Sequence, residues 1–402
     1  MNYLPVTVLE ADSRNGVIVL AFGADFHVAD RKGNVIATTA DTVSDPTVVR
    51  VDRAGKGAAI KAVAFSRDGS LLAVCTLDKC VHIYDTATWA CLRKTATEKR
   101  TNSICFDPAG DHLVTGDKFG DSYRISVHGS QVDDAAEKNK HEVLLGHVSS
   151  ICDVKFSFGT SPNTQQYILT CDRDEKIRIS KYPNAYNIQS FCLGHTEFVT
   201  TIATAPFGPE NAVTGSGDGT VRLWDVASGQ LLQTVTLEQH LSKYYADGRA
   251  VCGENTNEDR TAAMERYGVL RVRACDRMRA FIVIVERIPA VVVIPFVVGD
   301  GGSGEAQTAA GLGSPQIVDL ARAPIDAAVL DARIVVSLVP AEQSAVQIAV
   351  LKPDADGSFV HDSECAEALA KNRTLETAEV PVVESVFVWG NKMYLERPRG
   401  EE

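Results

Sequence analysis

His195 and Asp218 are the pair of side chains in this 402-residue sequence that most suggests chemistry, because a carboxylate can orient an imidazole to act as a general base. The same two residues also fit a buried polar network that rigidifies one structural unit. The sequence contains no G-x-S-x-G elbow, no H-E-x-x-H metal motif and no C-x-x-C pair. We therefore predict the structural role, with no catalytic residue and no metal site.

A glycine-rich run at Gly299–Gly304 formally matches G-x-G-x-x-G, and Asp319 lies 20 residues beyond its first glycine. A dinucleotide or methyl-donor site of this kind requires a helix directly after the glycines. Residues 305–315 instead contain two more glycines and a proline, and they have no apolar face. We predict a surface loop and no bound cofactor.

An internal repeat gives the strongest signal for the fold. The segment Ala212–Asp225 (AVTGSGDGTVRLWD) has copies at Ile168–Lys181, Leu72–Asp85 and His112–Ser126, and Gly-His precedes two of them at Gly146-His147 and Gly194-His195. Each copy alternates apolar and polar residues around a turn, as short antiparallel strands do. Units of about 40 to 45 residues with these marks are typical of propeller blades.

These repeats resemble the WD-repeat family, in which His, Ser or Thr, Asp and Trp form a hydrogen-bonded set within a blade. The resemblance implies one set at His195, Thr214, Asp218 and Trp224. It implies a partial set at His147, Thr170 and Asp174, because Ser180 stands where the tryptophan would be.

The predicted architecture is all-β, a single seven-bladed WD-repeat β-propeller over residues 1–402. The clearest blades lie at 55–235, and weaker strand patterns supply a hairpin at Gly16–Val35, later strands at Leu270–Val298 and Ile317–Leu351, and a closing strand at Val386–Leu395. Seven units of about 44 residues leave residues over for insertions. Polar or Gly-rich composition places these in surface loops near 126–141, 238–265, 299–315 and 353–377.

The charge balance disfavours an autonomous nucleic-acid binder, because 40 basic and 52 acidic side chains give a net charge of -12. A local run of arginines at 271, 273, 277 and 279 leaves two interpretations open. It could contact RNA phosphates, or it could be the solvated face of a blade hairpin. We predict the solvated face.

Three longer segments are more specific than the generic repeat. They are Asp117–Asp121 (DKFGD), Asp172–Ser180 (DRDEKIRIS) and Phe191–Val199 (FCLGHTEFV), in this order along about 85 residues. They resemble the non-catalytic subunit of the eukaryotic tRNA (guanine-N7-)-methyltransferase. The resemblance implies a nuclear scaffold in tRNA processing that forms a heterodimer with a catalytic, S-adenosylmethionine-dependent subunit. That subunit makes 7-methylguanosine in the variable loop of tRNA, so tRNA would be reached through the complex.

The resemblance also implies a partner-binding residue, because a basic side chain in the strand after the D-R-D-E motif pairs with a carboxylate of the methyltransferase. The matching position is Arg178, and Lys176, Arg173 and Lys118 could extend the basic patch. Arg222 occupies the same place in the clearest repeat. A basic residue there could therefore simply mark an exposed strand position.

Two other functions remain open from the sequence. One is a substrate receptor of a ubiquitin ligase, for which W-D-x-R often marks adaptor binding, but here Trp224-Asp225 is followed by Val226 and Ala227. The other is an enzyme that uses the Gly299–Gly304 loop. The sequence leaves open which tRNAs are chosen, whether the propeller touches RNA and how the blades after residue 235 are laid out.

Overall fold

Short strands joined by tight turns run through almost all of the described chain. The computed structural model describes residues 6–40, 47–52, 58–128, 141–159, 165–248, 250, 267–298, 310–340 and 347–371. The strands form seven sheets, and the first strand of each sheet contacts the first strands of two neighbouring sheets, so that the sheets close into a ring. The chain is a seven-bladed β-propeller, which confirms the predicted fold.

The first four blades run in chain order. Blade 1 is β1 (Val8–Asp12), β2 (Val17–Phe22), β3 (Asp25–Asp30), β4 (Val35–Thr38) and β5 (Val49–Arg50); blade 2 is β6 (Ile60–Phe65), β7 (Leu71–Thr76), β8 (Cys80–Asp85) and β9 (Cys91–Ala96); blade 3 is β10 (Thr101–Phe106), β11 (His112–Asp117), β12 (Asp121–Ser126) and β13 (Glu142–Gly146); blade 4 is β14 (Ile151–Phe156), β15 (Gln166–Asp172), β16 (Ile177–Tyr182) and β17 (Ile188–Cys192). Neighbouring strands are antiparallel except β5, which pairs parallel to β4.

The remaining blades carry the two described helices. Blade 5 is β18 (Val199–Ala205), β19 (Gly208–Ser216), β20 (Thr220–Asp225) and β21 (Leu231–Thr236), followed by α1 (Glu238–Ala246); blade 6 is β22 (Val269–Cys275), β23 (Ala280–Val285), β24 (Ala290–Val297), β25 (Gly311–Leu312) and β26 (Gln316–Asp319); blade 7 is β27 (Pro324–Leu330), β28 (Arg333–Leu338), β29 (Ile348–Pro353) and β30 (Phe359–His361), followed by α2 (Ser363–Lys371). Neither described helix is long and apolar enough to cross a bilayer.

The hydrophobic core lies between adjacent blades. Blade 5 contributes Val213, Val221 and Leu223, which share one buried cluster with Val283 and Val292 of blade 6. Period-two alternation turns such residues towards the neighbouring sheet, and each fully buried aliphatic side chain contributes about 1.5 to 3 kcal/mol. A blade therefore has no complete core of its own and depends on its neighbours.

Strand direction divides the turns between two faces of the ring. In an antiparallel four-stranded blade, the turn between the second and third strands lies at the same end as the connection from the fourth strand to the next blade. We call this end the upper face. On it lie the turns at residues 117–121 and 172–176 and the connections at residues 147–150 and 193–198.

Among the described residues, the ring closes between blades 7 and 1 without an exchange of strands, because each sheet uses consecutive strands only. The Leu9 N–H donates to Asp326 Oδ2 at 3.0 Å, and Arg273 of blade 6 reaches Glu10 at 3.2 Å and Asp326 at 3.6 Å. On the outside, Arg31 pairs with Asp331 at 2.9 Å. Buried charge pairs and backbone contacts thus bridge three blades at the closure.

This arrangement changes the interpretation of the arginine run. The Arg273 side chain is only 19% exposed and lies beside Asp326, so the predicted solvated face is wrong for this residue, whereas Arg271, which also lies beside Asp326, is 35% exposed. The physical reason is that β22 is the first strand of its blade and packs inside the ring. Arg277 and Arg279 lie in the following turn and are exposed.

Two of the insertions predicted as surface loops contain a helix. Residues 238–246 form α1, which buries Leu241 and Tyr244, and α2 lies within the insertion predicted at 353–377. A Cβ on Gly33 would lie 2.9 Å from Ala368 Cβ, so α2 packs tightly against the β3–β4 turn of blade 1. The strand predicted at Val386–Leu395 lies outside the described residues, in which blade 7 consists of β27–β30.

Candidate partner-binding site

Blade 5 brings together the four residues predicted to form a network. His195 Nδ1 lies 2.8 Å from Asp218 Oδ2, His195 Nε2 lies 2.8 Å from Thr214 Oγ1, and Trp224 Nε1 donates to Thr214 Oγ1 at 2.8 Å. An indole N–H can only donate, so Thr214 Oγ1 accepts from Trp224, and the same hydroxyl is hydrogen-bonded to His195 Nε2. Nδ1–H then donates to Asp218, and every member of the chain is satisfied.

This environment suits structure better than catalysis. The His195 side chain is 0% exposed, which leaves it out of reach of a substrate. Burial alone would raise the pKa of Asp218, but the hydrogen bond and charge of His195 lower it to about 2. A carboxylate held ionised in a satisfied network stabilises the blade and its turn.

Blade 4 builds a similar network with a different carboxylate. His147 Nε2 lies 2.7 Å from Thr170 Oγ1, and His147 Nδ1 lies 2.8 Å from Asp172 Oδ2, so the predicted partner Asp174 takes no part. Asp172 is buried, and its other oxygen accepts the N–H groups of Asp174 and Lys176 at 3.0 and 3.1 Å. Asp174 is exposed in the turn that Asp172 closes. Alignment at a fixed offset selected the wrong aspartate because a carboxylate two positions earlier reaches the same histidine.

Blade 3 repeats this turn without the histidine. Asp117 Oδ1 accepts the N–H groups of Phe119 and Asp121 at 2.8 and 3.0 Å, while its buried Oδ2 accepts no hydrogen bond from the described residues. Thr97 stands four residues before β10, where His147 stands before β14. Burial raises the pKa of Asp117 despite its backbone hydrogen bonds. The repeat at His112–Ser126 predicted this blade but gave no role to Asp117, although Asp117 and Asp172 open similar turn motifs.

The predicted basic patch lies on the upper face of blades 3 and 4. Lys118 and Lys176 are exposed, and Arg173 is partly exposed. The Lys118 N–H donates to Arg100 O, and the Arg173 N–H donates to Ser150 O, both at 3.1 Å. Each turn is therefore fastened to the loop that precedes the first strand of its blade, which fixes where its basic side chain is presented.

Arg178 is more enclosed than the rest of the patch. Its guanidinium donates to Ser180 Oγ at 2.9 Å, to Ala185 O at 2.9 Å and to Gly146 O at 3.2 Å, and burial lowers its pKa. Arg222 lies similarly close to Gly194, where a Cβ would come within 2.5 Å of its Nη1. Part of the role of Arg178 is thus internal, since it ties blade 4 to the end of β13.

The structure adds apolar residues that the sequence analysis did not single out. Phe119 is 55% exposed and Val148 is 95% exposed, and both lie on the upper face beside Lys118. Lys99 Nζ and Lys118 Nζ lie 5.0 and 4.8 Å from the centroid of the Phe119 ring. The signal available in the sequence was a bulky apolar residue inside a polar turn, at D-K-F-G-D.

The glycine-rich cofactor motif at 299–304 lies outside the described residues. Asp319, the acidic residue at the expected distance from it, accepts a hydrogen bond from Tyr244 Oη of α1 at 2.5 Å. Within the part of the chain that the structure describes, no group of three or more His, Cys, Asp or Glu side chains could hold a metal ion.

Comparison with known protein families gives one match that covers most of the chain. The family described as the tRNA methyltransferase TRM82 WD40 domain matches residues 38–141 and 129–361. Curated relatives include proteins named tRNA (guanine-N(7)-)-methyltransferase non-catalytic subunit. The one from Dictyostelium discoideum is 31% identical over 58% of this chain and 49% of its own length, and the one from Homo sapiens is 39% identical over 44% and 40%. The matched part thus spans less than half the length of these relatives.

Solved structures resemble the chain in fold alone. A chain in the mitotic checkpoint complex has a TM-score of 0.59 at 15% identity, covering 84% of this chain and 87% of its own. The WD40 repeats of RRP9 have the same TM-score at 16% identity, covering 84% and 88%. Identities this low establish the propeller architecture and nothing about partners.

Proposed function

Because the chain belongs to the tRNA methyltransferase TRM82 WD40 family, we propose that it is a non-catalytic scaffold subunit. It binds, stabilises and positions a catalytic, S-adenosylmethionine-dependent methyltransferase subunit that forms 7-methylguanosine in the variable loop of tRNA. The relatives named as non-catalytic subunits of this enzyme support the proposal. The buried position of His195 agrees with it, since that side chain is closed to a substrate.

The observation that carries the proposal is the basic patch on the upper face of blades 3 and 4. Lys118, Arg173 and Lys176 stand on two fastened turns within the region that matches the family. A fixed group of cations complements carboxylates on a partner surface and speeds association. Arg178 supports the patch by donating to Gly146 O, and its guanidinium can also donate two hydrogen bonds to a carboxylate of the partner.

The charge balance supports a division of labour with the partner. With a net charge of -12 the chain is a poor binder of RNA phosphates by itself, so the catalytic subunit would supply most of the basic surface for tRNA. We also propose that the complex acts in the nucleus, on the basis of the family alone. Fluorescence imaging of the tagged full chain tests this, and a signal excluded from nuclei would contradict it.

The experiment for the main proposal is co-purification with the methyltransferase subunit of the same cell, followed by calorimetry of the purified pair. We expect an equimolar complex, no tRNA methylation by this chain alone and activity only with the partner. Methylation by the isolated chain would contradict the scaffold role.

Charge reversals test the patch itself. We expect each of three variants to weaken the complex at least about 10-fold: Arg173→Glu, Lys176→Glu and Arg178→Glu. Each variant places a carboxylate opposite the carboxylates proposed on the partner surface. Lys181→Glu is the matched control, since Lys181 is an exposed basic residue at the other end of β16. Thermal unfolding of each variant separates lost folding from lost binding, which matters most for the half-buried Arg178. A complex unaffected by Arg178→Glu would contradict its role.

A ubiquitin-ligase receptor is the second candidate, supported by the propeller fold alone. The absence of arginine after Trp224-Asp225 weighs against it. Recovery of cullin-type adaptors in place of a methyltransferase in the co-purification would favour this candidate.

A further inference from the structure

Phe119 and Val148 form an exposed apolar pair on the upper face. Phe119 lies in the β11–β12 turn of blade 3, and Val148 lies in the connection from blade 3 to blade 4. Their exposed fractions are 55% and 95%. Single exposed apolar residues are common on proteins, so exposure alone carries little weight. This pair differs from such residues because hydrogen-bonded turns carry it and lysine side chains surround it.

The two turns that carry the pair are joined and held rigid. Gly120 O accepts the His147 N–H at 2.8 Å, which places Val148 directly beside the Phe119 turn. Asp117 closes that turn by accepting the Phe119 N–H at 2.8 Å. Asp172 holds His147 at 2.8 Å on the other side. Both apolar side chains are therefore presented from fixed backbone, which lowers the entropy lost on binding.

Two cations flank the aromatic ring. Lys99 Nζ lies 5.0 Å and Lys118 Nζ 4.8 Å from its centroid, and among the described residues neither lysine pairs with a carboxylate. These cation–π contacts place both ammonium groups beside the ring. The pair is thus an apolar centre with a positive border.

We propose that Phe119 and Val148, bordered by Lys99 and Lys118, form an anchor that inserts into an apolar pocket edged by carboxylates on the methyltransferase subunit. This inference rests on the proposed function and extends the partner site from the basic patch of blade 4 across blade 3. The two regions are continuous, because the connection that carries Val148 also accepts the Arg173 N–H through Ser150 O at 3.1 Å. Aromatic anchors at the centre of a charged border are typical of interface hot spots.

A protein partner fits the anchor better than RNA does. A nucleobase would stack on Phe119, but Val148 offers no π-face and no hydrogen bond to a base. An aliphatic side chain that is 95% exposed gains by burial in an apolar pocket instead. Stacking of an RNA base on Phe119 would overturn the proposal.

The experiment measures the affinity of the purified methyltransferase subunit for full-length variants of this chain. Phe119→Ser and Val148→Ser are each expected to weaken binding, with the double variant losing at least about 30-fold, as truncated hot spots do. Phe119→Leu should recover part of the affinity, because it restores apolar area without the ring. Val143→Ser is the matched control, since Val143 is 58% exposed on β13 of the same blade.

The outcomes separate this inference from the proposed function. If the serine variants bind like wild type while Lys176→Glu binds weakly, the anchor is overturned and the scaffold stands. If wild type itself binds no methyltransferase, both are overturned. If Phe119→Ser leaves that affinity unchanged but weakens tRNA binding by the assembled complex, the ring contacts RNA and the anchor is overturned. Unchanged thermal unfolding of the serine variants confirms that a loss of affinity reports binding.

Discussion

His147 and Asp172 are joined by a 2.8 Å contact in which the carboxylate comes from the last residue of the second strand of the blade. In the next blade His195 takes the same kind of contact from Asp218, which lies two positions further along, inside the turn. Two blades of one chain thus satisfy the same imidazole nitrogen from different positions. In blade 4 the same carboxylate also closes the turn that presents Arg173 and Lys176.

Asp172→Asn should destabilise the protein much more than Asp174→Asn. Asp172 is 1% exposed and accepts three hydrogen bonds. In the asparagine variant the side-chain NH₂ group would face at least one of these N–H donors, and that hydrogen bond would be lost. We expect a loss of about 2 to 3 kcal/mol in the free energy of unfolding, against less than about 0.5 kcal/mol for the exposed Asp174. Urea unfolding of both variants checks this. The reverse order would restore Asp174 to the network.

Thr214→Val should cost about 2 kcal/mol or more in unfolding free energy, although it keeps the shape of the side chain. The change removes the acceptor of the Trp224 Nε1 proton and the hydrogen-bond partner of His195 Nε2, both inside the fold. Thermal unfolding measures the loss, and Thr196→Val at an exposed position is the control. Equal stability of the two variants would mean that the network contributes nothing.

Asp218 predicts a specific dependence of stability on acid. Its pKa of about 2 in the folded protein lies below the ordinary value of 3.8, so its contribution is present above about pH 4 and is lost as pH falls towards 2. Asp218→Asn lacks this titration. Urea unfolding between about pH 2 and 6 should therefore show a steeper fall for wild type than for the variant, by on the order of 1 to 2 kcal/mol. Parallel curves would refute the assignment.

Arg273→Met should weaken the closure of the ring. The change removes the cation that Glu10 and Asp326 share, but Asp326, whose side chain is 2% exposed, stays paired with Arg271 at 3.5 Å. Because Arg271 still offsets part of the buried charge, we expect a loss of about 2 kcal/mol, below the roughly 3 to 5 kcal/mol typical of a buried ion pair that is broken completely. Arg277→Met, at an exposed arginine of the same hairpin, should change stability by less than about 0.5 kcal/mol. Calorimetric unfolding distinguishes them, and similar losses would contradict a special role for Arg273.

Gly120→Ala should distort the turn that presents Lys118. The glycine has a φ of +102°, and a Cβ there would lie 2.4 Å from His147 O. Gly110→Ala is the control. Gly110 also has a positive φ, of +80°, but a Cβ at that position would meet nothing within 4 Å. This variant should therefore lose only the free energy of the backbone strain, about 1 kcal/mol. We expect the Gly120 variant to lose several kcal/mol more. Equal unfolding temperatures of the two variants would show that the turn can accommodate a Cβ at position 120.

Local sequence patterns were sufficient to predict the blade as a unit. Alternating strands, Asp-Gly turns and the spacing of Gly-His to Thr, Asp and Trp are local, and they placed β19, β20 and the His195 network correctly in the fold. The family resemblance likewise rests on continuous segments at 117–121, 172–180 and 191–199. Local patterns such as these are decided by residues close together along the chain, which is why the sequence sufficed.

Which atoms meet between distant segments depends on the tertiary structure. The choice of Asp172 over Asp174, the enclosure of Arg273 beside Asp326, and the hydrogen bond that joins the Phe119 turn to the connection carrying Val148 all depend on how one blade packs against the next. A fixed repeat offset cannot resolve these, because a two-residue change in carboxylate position can satisfy the same histidine. Charge on a strand does not say whether the strand faces solvent or the ring. Packing between blades settles both, and it is a property of the closed ring.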